Sequence, residues 1–240
     1  MSDNPKEAYI LAAGMGSRLR PYTDKVPKPM VKVWGCPIID RSLDALAAVG
    51  VEKCVVNTHY KADVLHRNLA SRTEPEIIIS HEEGALLDTG GGIAAVKDEF
   101  DAPFYVLNGD AVWEDAPAQN LLSSLAEQWD SEKMDILIVL QPVETMKLTE
   151  GVGDYDIDEN GRAIRSKDKS GAYMFTSLRI NAPHIFDNAP QGAFSYLQLL
   201  DEAQARGRLY ALVNDGMFHH ISTPADLEAV NNIVQGRGSA

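Results

Sequence analysis

The chain has 240 residues, 45% of them hydrophobic and 24% charged, so it is long enough to bury a sizeable core. Its formal net charge of −13 excludes general binding to nucleic acids or anionic membranes, because such a surface repels polyanions. A small phosphate ligand stays compatible with this charge, since it needs only a local cationic pocket.

The N-terminal segment MSDNPKEAY is polar and acidic, and no segment has the length of an apolar membrane span. We therefore expect neither a signal peptide nor a membrane helix. Cys36 and Cys54 lack the spacing of a metal site, and we expect both to be reduced thiols. These features predict a cytoplasmic protein.

Strand-like runs alternate with helical patterns in the first part of the chain, which is typical of a mostly parallel sheet built from βαβ units. The predicted strands are Ala8–Ala12, Lys53–Thr58, Glu76–Ser80, Phe104–Asp110 and Asp135–Leu140. The predicted helices are Ile38–Val49, a segment near Ala62–Ala70, one from Gly91 towards Phe100, and Leu121–Trp129. The sequence therefore predicts an α/β fold.

The alternation changes after Gln141. The sequence Glu159-Asn160-Gly161 predicts a hairpin, and GAYMFTSLRI predicts a further strand. Two helices are predicted near Ser195–Arg206 and Ala225–Val234. Because neither a linker nor an internal repeat is found, we expect one domain over residues 1–240, whose second half adds a lobe to the same sheet.

The first predicted strand runs into the glycine-rich stretch AAGMGSRLRPYTDKVPKP. Such a turn presents backbone N–H groups to a phosphate, and Gly14 and Gly16 let the chain pass close to a ligand. A dinucleotide fingerprint would need a third glycine where Leu19 stands, and a Walker P-loop would need Gly-Lys-Ser/Thr. Neither of these two motifs is present.

Two cations in this stretch, Arg18 and Lys28, are candidates for phosphate contacts. Pro27 and Pro29 flank Lys28 and predict that it lies on an extended arm. Arginine offers a bidentate fork to phosphate oxygens, whereas lysine acts as a compact point charge. A solvated basic loop is the simpler alternative, but the glycines, the strand and the prolines together favour phosphate chemistry.

The stretch LAAGMGSRLRPYTDKVPKP resembles the signature L-A-x-G-x-G-[ST]-R-[LM]-x-P-x-T…P-K-P of the sugar-phosphate nucleotidylyltransferases. By order of elements and by motifs, the resemblance extends to about residue 235. It implies a Rossmann-like, three-layer nucleotide-diphospho-sugar transferase fold, with a mostly parallel central sheet and a small acceptor-side β lobe. Residues 8–140 or so would form the nucleotide-binding half and residues 141–235 the sugar-phosphate acceptor half.

The resemblance also assigns roles to residues. Arg18 and Lys28 are the expected catalytic cations. Arg18 would hold the β- and γ-phosphates of a nucleoside triphosphate, and Lys28 would lie at its α-phosphate. The residues expected to bind the nucleotide are Leu11, Ala12, Ala13, Gly14, Met15, Gly16, Ser17, Gly84 and Gly109.

Asp110 in LNGDAVWED ends a predicted strand, where open α/β sheets bind ligands. A lone carboxylate there could instead cap the next helix. Family members carry the Mg²⁺ ligand at this position, so the resemblance implies that Asp110 binds Mg²⁺ as cofactor. Asn108 would then lie against the ribose or the sugar phosphate.

The stretch EEGALLDTGGGI would border the nucleobase, with Gly84 approaching its edge. The run of three glycines could also be only a flexible helix start. This run, preceded by Thr89, resembles the N-acetylmuramate-1-phosphate uridylyltransferase branch and related mannose-1-phosphate guanylyltransferase-like sequences. A Glu-Lys-Pro motif that other branches use for the acceptor phosphate is not found, which favours the uridylyltransferase branch.

On the acceptor side, GVGDYDI resembles a turn of the same branch and implies that Gly153 and Asp154 contact sugar hydroxyls. A turn that leads into the hairpin is the alternative for both residues. Thr176 is expected to face the sugar as well, although residues on this strand, such as Phe175, are more often part of a core.

The pattern breaks at FHHISTPADL, where His220 stands in place of the second metal-binding aspartate of many relatives. Imidazole suits Mg²⁺ poorly compared with oxygen ligands. His220 as a weak metal ligand or phosphate contact, Asp215 as a substitute, and lower efficiency all stay open. So does a purely structural role, in which the two histidines cap the last helix near Ser222.

The sequence thus predicts an enzyme that joins a nucleoside triphosphate and a sugar-1-phosphate to give a nucleotide sugar and pyrophosphate. UTP with N-acetylmuramate α-1-phosphate, in cell-wall recycling, is the expected pair. GTP with mannose-1-phosphate, or another hexose- or heptose-1-phosphate, is the alternative within the class, and a non-catalytic nucleotide-binding module is the alternative from another class. We expect no nucleic-acid or membrane partner, and a monomer.

Overall fold

The computed structural model describes residues 4–117 and 119–237, with side chains as far as residue 233. The ends of the expected domain, residues 1–3 and 238–240, lie outside this part. The strands are β1 (Glu7–Leu11), β2 (Lys32–Val33), β3 (Cys36–Pro37), β4 (Lys53–Thr58), β5 (Glu76–His81), β6 (Phe104–Asn108), β7 (Val112–Glu114), β8 (Ile136–Pro142), β9 (Tyr155–Ile157), β10 (Ala163–Arg165), β11 (Tyr173–Asn181), β12 (Leu209–Val213) and β13 (Met217–His219). The α-helices are α1 (Ile38–Ala48), α2 (Ala62–Leu69), α3 (Asp88–Ala94), α4 (Leu121–Gln128), α5 (Leu197–Ala205) and α6 (Pro224–Arg237).

Nine strands of the described residues form one mixed sheet. The parallel strands lie in the order β5-β4-β1-β6, and β11 joins β6 in the antiparallel direction. On the other side of β11 lies β8, which pairs in parallel with β12. The β9–β10 hairpin continues the sheet beside the start of β11. The predicted α/β fold, with a mostly parallel centre and a β lobe on the acceptor side, is confirmed.

Alternate residues of β1 point to opposite faces of the sheet, and each face has its own core. Ala8 and Ile10 pack in a cluster with residues of α1, α2 and α4, whereas Tyr9 packs in a cluster with residues of α3 and α5. The central strands are buried on both faces because helices cover both, as expected for parallel strands. The result is the three-layer arrangement.

Element boundaries differ from the predictions at two places that shape the cleft, and one strand of the main sheet was not predicted. The strand predicted to reach Asp110 ends at Asn108, because Gly109 turns the chain and donates its N–H to the carbonyl of Leu11 at 2.7 Å. The helix predicted to begin at Gly91 begins at Asp88 and ends at Ala94. β12 was not predicted, since a short apolar run after a helix carries no periodicity that separates strand from helix.

No helix among residues 4–117 and 119–237 combines the length and the apolar character needed to cross a membrane.

Candidate active site

A cleft of about 450 Å³ lies at the carboxyl ends of β1, β4 and β6, where open parallel sheets present their ligand sites. It is lined by Leu11, Ala12, Ala13, Gly14, Met15, Gly16, Ser17, Arg18, Leu19, Lys28, Pro29, Asn57, Glu82, Leu86, Asp88, Thr89, Asn108, Gly109, Asp110 and Ser222. The structure therefore brings together the glycine loop with both candidate cations, the predicted metal carboxylate, and the two residues before it.

The loop after β1 is shaped by close contacts at Gly16. Its φ of 61° is in the left-handed region, and an added Cβ would lie 2.9 Å from Thr23 Cγ2 and 3.0 Å from Lys28 Cβ. The Thr23 hydroxyl donates to the Gly16 carbonyl at 2.9 Å. The next residues form a short 3-10 turn, Ser17–Leu19, whose last residue is fully buried. Leu19, which is incompatible with a dinucleotide fingerprint, therefore anchors the turn that carries Arg18 into the cleft.

Lys28 and Asp110 are in direct contact across the cleft. The Nζ atom of Lys28 lies 2.6 Å from Oδ2 of Asp110, and the lysine side chain is only 13% exposed, compared with 36% for the aspartate. The prediction of an extended arm at Lys28 is wrong, because this residue begins a 3-10 turn that ends at Met30. Pro27 alone keeps the extended backbone, with ψ of 155°. The turn directs the ammonium group towards the end of β6.

A buried polar pair that the sequence analysis missed supports the loop from below. The Oδ1 atom of Asn57 accepts from the Ala12 N–H at 2.6 Å, and its Nδ2 donates to Oε1 of Glu82 at 2.7 Å. The other carboxylate oxygen of Glu82 accepts from the N–H of Leu87 at 2.9 Å. Asn57 and Glu82 are 2% and 5% exposed. The pair thus connects the first residue after β1 to the start of α3.

Asn57 in KCVVNT could have been found from the sequence, since a polar residue in an otherwise apolar central strand indicates a specific hydrogen-bond partner.

Burial raises the pKa of the neighbouring Tyr9 well above its ordinary value, and the Glu82 carboxylate adds to this effect.

The three glycines at the start of α3 are close-packing positions. An added Cβ would lie 2.3 Å from the Phe194 ring at Gly90, 2.2 Å from the carbonyl oxygen of Gly192 at Gly91, and 2.9 Å from the Glu82 carboxylate at Gly92. The N–H groups of Gly90 and Gly91 both donate to the carbonyl of Phe194. All three glycines are buried, so the flexible helix start that the sequence left open is wrong.

Four of the predicted contact residues do not line the cleft. Gly84 lies in an exposed loop with φ of 82°. Gly153 packs against the backbone, since an added Cβ would lie 2.0 Å from the carbonyl oxygen of Gly171. The carboxylate of Asp154 contacts Lys169 and accepts from the N–H of Phe175.

Thr176 is the fourth. It is 1% exposed and donates its hydroxyl to the carbonyl of Val139 at 2.9 Å, so it belongs to the core rather than to the cleft surface. For Gly153 and Asp154, the contacts support the turn that leads into the hairpin.

His220 also lies outside the cleft lining but is in contact with it. Its N–H donates to Thr149 at 3.0 Å, and its Nε2 lies 3.1 Å from the hydroxyl of Ser222, which lines the cleft. Asp215 lines a separate small cavity that shares no residue with the cleft. The arrangement therefore does not bring Asp215 to the position of a substitute metal ligand.

The last helix is capped by residues other than the histidines. Thr223 Oγ1 accepts from the N–H of Asp226 at 3.3 Å, and Asp226 Oδ2 accepts from the N–H groups of Thr223 and Ser222 at 2.8 and 2.9 Å. This reciprocal pattern is a capping box. Burial opposes the ionisation of Asp226, but the backbone donors outweigh it and lower its pKa.

The described residues contain no cluster of three or more side chains suited to hold a metal. Asp110 lies two residues after the end of β6, its Oδ2 contacts Lys28, and its Oδ1 has no hydrogen-bond partner among the described residues. One carboxylate oxygen is compatible with Mg²⁺ that takes its other ligands from substrate phosphates and water. The residues present fit such a site and do not fit an all-protein cage.

Comparisons with known proteins show the family of the chain. A model of the nucleotidyl transferase family matches residues 7–177. The chain is 36% identical over 232 residues to the N-acetylmuramate α-1-phosphate uridylyltransferase of Caulobacter vibrioides, with 93% of this chain and 95% of that protein covered. It is 30% identical over 233 residues to the mannose-1-phosphate guanyltransferase beta-A of Xenopus laevis, with 92% of this chain covered but only 62% of that longer protein.

Among solved structures, that of HddC from Yersinia pseudotuberculosis in complex with GMP-PN is similar, with a TM-score of 0.76 and 25% sequence identity. The match covers 95% of this chain and 99% of that one.

Proposed function

The chain belongs to the nucleotidyl transferase family, and we propose that it transfers the uridylyl group of UTP to N-acetylmuramate α-1-phosphate with release of pyrophosphate. It is a sugar-1-phosphate nucleotidyltransferase by its family and its relatives. The choice of substrates is supported by the relative with 36% identity, which matches this chain over nearly the whole length of both proteins.

The contact between Lys28 and Asp110 at the mouth of the glycine loop carries the proposal. Transfer of a nucleotidyl group is an in-line displacement. An oxygen of the sugar phosphate forms a bond to the α-phosphorus, and the bond from that phosphorus to the bridging oxygen breaks, so that its electron pair leaves with pyrophosphate. The nucleophile is already anionic and no proton has to move, which leaves charge repulsion and alignment as the barrier.

The cleft residues would lower this barrier through fixed positive charges and hydrogen-bond donors. The backbone N–H groups of residues 14–17 and the side chain of Arg18 would hold the β- and γ-phosphates and the leaving group, as glycine-rich turns after a strand do. Lys28 would lie at the α-phosphate, where negative charge accumulates in the transition state. Such preorganised charges are the main source of catalysis in transfers of this kind.

Asp110 would hold Mg²⁺ through its free oxygen, with Asn108 and Gly109 beside the ribose or the sugar phosphate. When bound, the ion would neutralise phosphate charge and orient the triphosphate. Ser222 brings the His220 segment to the edge of the cleft, so His220 is proposed to act on the site through this hydroxyl rather than as a metal ligand.

The test is a matrix of four nucleoside triphosphates against N-acetylmuramate-, mannose-, glucose- and heptose-1-phosphate, with Mg²⁺ present and pyrophosphate release measured. We expect the largest kcat/KM for UTP with N-acetylmuramate α-1-phosphate. A larger value for GTP with mannose-1-phosphate would replace the proposed substrates by those of the other relative. Nucleotide binding without pyrophosphate release from any pair would indicate a binding module.

We further propose that the enzyme acts as a cytoplasmic monomer in the recycling of cell-wall sugars. Both cysteines are free thiols, which suits a reducing compartment. Light scattering on the purified chain should give the mass of one 26.2 kDa copy, and a mass of two copies would contradict the monomer.

A further inference from the structure

The face of the sheet that packs against α3 and α5 contains a buried guanidinium that forms no ion pair with a carboxylate of the described residues. Arg179 of β11 is 2% exposed and the largest fully buried side chain. Its Nη1 donates to the carbonyl of Ser177 at 2.9 Å, and its Cζ atom lies 3.9 Å from the centre of the Tyr196 ring. Its Nε and Nη2 atoms have no hydrogen-bond partner among the described residues, and no ion pair to it is found there.

Three further buried polar atoms on this face of the sheet have no hydrogen-bond partner among the described residues. They are the hydroxyls of Tyr9 and Tyr155 and the Nδ2 atom of Asn181. Tyr9 and Tyr155 belong to the cluster that also contains Tyr196, whose hydroxyl donates to Asn181 at 2.6 Å. Unpartnered polar groups are rare in a core, so their concentration in one place calls for an explanation.

The strand register places Tyr9, Arg179 and Asn181 on one face of the sheet, whereas Tyr155 lies on β9, which pairs with the start of β11, and shares the core cluster of Tyr9. Tyr9 on β1 and Arg179 on β11 both pair with Val106 of β6, and Asn181 follows Arg179 by two residues on the same face of β11. The next row of this face contains Leu11 and Asn108, which line the cleft. Tyr9 and Arg179 therefore lie one row beneath the floor of the cleft.

The chemistry of the cluster is one-sided. The groups without a partner are N–H donors of the guanidinium and the amide and the hydroxyls of the two phenols. The Glu82 carboxylate lies near Tyr9, but both of its oxygens already accept hydrogen bonds, from Asn57 and Leu87, and no carboxylate among the described residues pairs with Arg179. Burial lowers the pKa of Arg179 and raises the pKa of Tyr9, Tyr155 and Tyr196, the last to about 12, so the phenols stay neutral and do not balance the charge. A buried charge is costly unless it is paired, and water does not neutralise it.

We propose that Arg179, Tyr9, Tyr155 and Asn181 form an internal binding site for one small monovalent anion, such as chloride. The anion accepts hydrogen bonds from the free N–H groups of the arginine and from the phenols, and it balances the guanidinium charge. The site is distinct from the phosphate positions of the cleft, because none of these four residues lines it.

Thermal unfolding of the full chain in sodium chloride and in sodium gluconate of equal ionic strength tests the site. An anion that binds only the folded chain at ten times its Kd lowers the unfolding constant about 11-fold, which raises Tm by about 3–6 °C. We expect this rise in chloride and its loss in Arg179→Met. Equal Tm values in the two salts for the unmodified chain would overturn the proposal.

Conservative tyrosine variants test the site even if Arg179→Met does not fold. Tyr9→Phe and Tyr155→Phe each remove one donor from the cluster and should weaken the chloride dependence. Tyr105→Phe is the matched control, since this buried hydroxyl lies in the opposite core and donates to Leu122 at 3.0 Å. It should lower Tm equally in both salts, and a chloride dependence that is the same in all three tyrosine variants would contradict the site.

A crystal soaked in bromide gives the direct test. An anomalous peak in contact with Nε or Nη2 of Arg179 would establish the anion. Ordered water alone at that position would exclude it.

Discussion

Lys28 and Asp110 form the most informative single contact of the cleft, and their removal gives the first prediction. Each supplies a preorganised charge at the reacting phosphates, and the loss of one such group costs about 10²–10³ in rate. We expect kcat to fall by this amount in Lys28→Ala and in Asp110→Ala, measured by pyrophosphate release with UTP.

Lys25→Ala is the matched control for Lys28, since Lys25 is an exposed lysine of the same loop. It should keep the kcat of the unmodified enzyme. Near-normal turnover in Lys28→Ala or Asp110→Ala would remove the assigned roles.

Asn57 gives a second prediction that separates binding from chemistry. Asn57→Ala leaves two buried groups without a partner, the Ala12 N–H and Oε1 of Glu82. Unsatisfied buried groups cost about 1–3 kcal/mol each, so Tm should fall, and the loosened loop should raise KM for the nucleotide more than it lowers kcat. Thermal unfolding and steady-state kinetics of the purified variant measure these changes.

Asn68→Ala is the control for this loss of an amide, because Asn68 makes a partly buried hydrogen bond to Asp40 at 2.8 Å, away from the cleft. It should lower Tm slightly and leave KM unchanged. If Asn57→Ala had the KM of the unmodified enzyme, the amide would be structural only.

The start of α3 shows how a helix is positioned by residues that have no side chain. Gly91→Ala would place a Cβ 2.2 Å from the carbonyl oxygen of Gly192, and backbone cannot give way as a side chain can. We expect a loss of about 1–3 kcal/mol or more, as for overpacked cores, measured by urea unfolding.

Gly14→Ala is the opposite case, since an added Cβ there meets no atom within 4 Å. Its stability should change by no more than about 0.5 kcal/mol, whereas KM for the nucleotide should rise because the methyl group enters the phosphate loop. Equal destabilisation in the two glycine variants would contradict close packing as the reason for the run.

The capping box of α6 predicts a pH dependence. The pKa of Asp226 is lower in the folded chain than the value of about 3.9 expected when unfolded. Its contribution to stability is therefore complete well above that value and is lost as the pH falls through the lower, folded pKa.

Asp226→Ala should cost about 0.5–2 kcal/mol at neutral pH, and the difference from the unmodified chain should shrink below about pH 4. Urea unfolding between pH 3 and 7 measures this. Glu228→Gln, an exposed position on the same helix, should show no such convergence. A difference for Asp226→Ala that is constant with pH would exclude the ionised cap.

Local patterns predicted the elements and the loop, but not the contacts that join distant segments. The strand and helix runs from residue 8 to 140, and the residues 11–18, 28 and 108–110 in the cleft, follow from periodicity, glycines and the family signature. Asn57 and Glu82 were missed because their hydrogen-bond partners lie 5 to 45 positions away in the sequence. Ser222 was missed because the cleft residues that it joins lie far from it along the chain. Thr176 was misplaced because the face of a strand is set by register, which a single sequence does not show.

The two halves of the chain share one sheet, and this connection governs how the whole molecule unfolds. β11 of the second half pairs with β6 and β8, which lie almost wholly in the first half, and β12 of the second half also pairs with β8, so neither half has a complete sheet alone. The cleft also draws Ser222 from the end of the chain to the loop after β1. The expected single domain over both halves therefore predicts one cooperative transition in calorimetry, whereas two separable domains would give two.

Nucleotide binding should shift this transition as a whole. At UTP 100 times its Kd, a ligand that binds only the folded chain adds about 2.7 kcal/mol, which raises Tm by about 5–11 °C for a chain of this size. The Lys28→Ala variant should show a smaller shift, because it lacks one of the charges that hold the triphosphate. A shift confined to part of the transition would show that the acceptor half unfolds independently, and that the shared sheet does not couple the two halves.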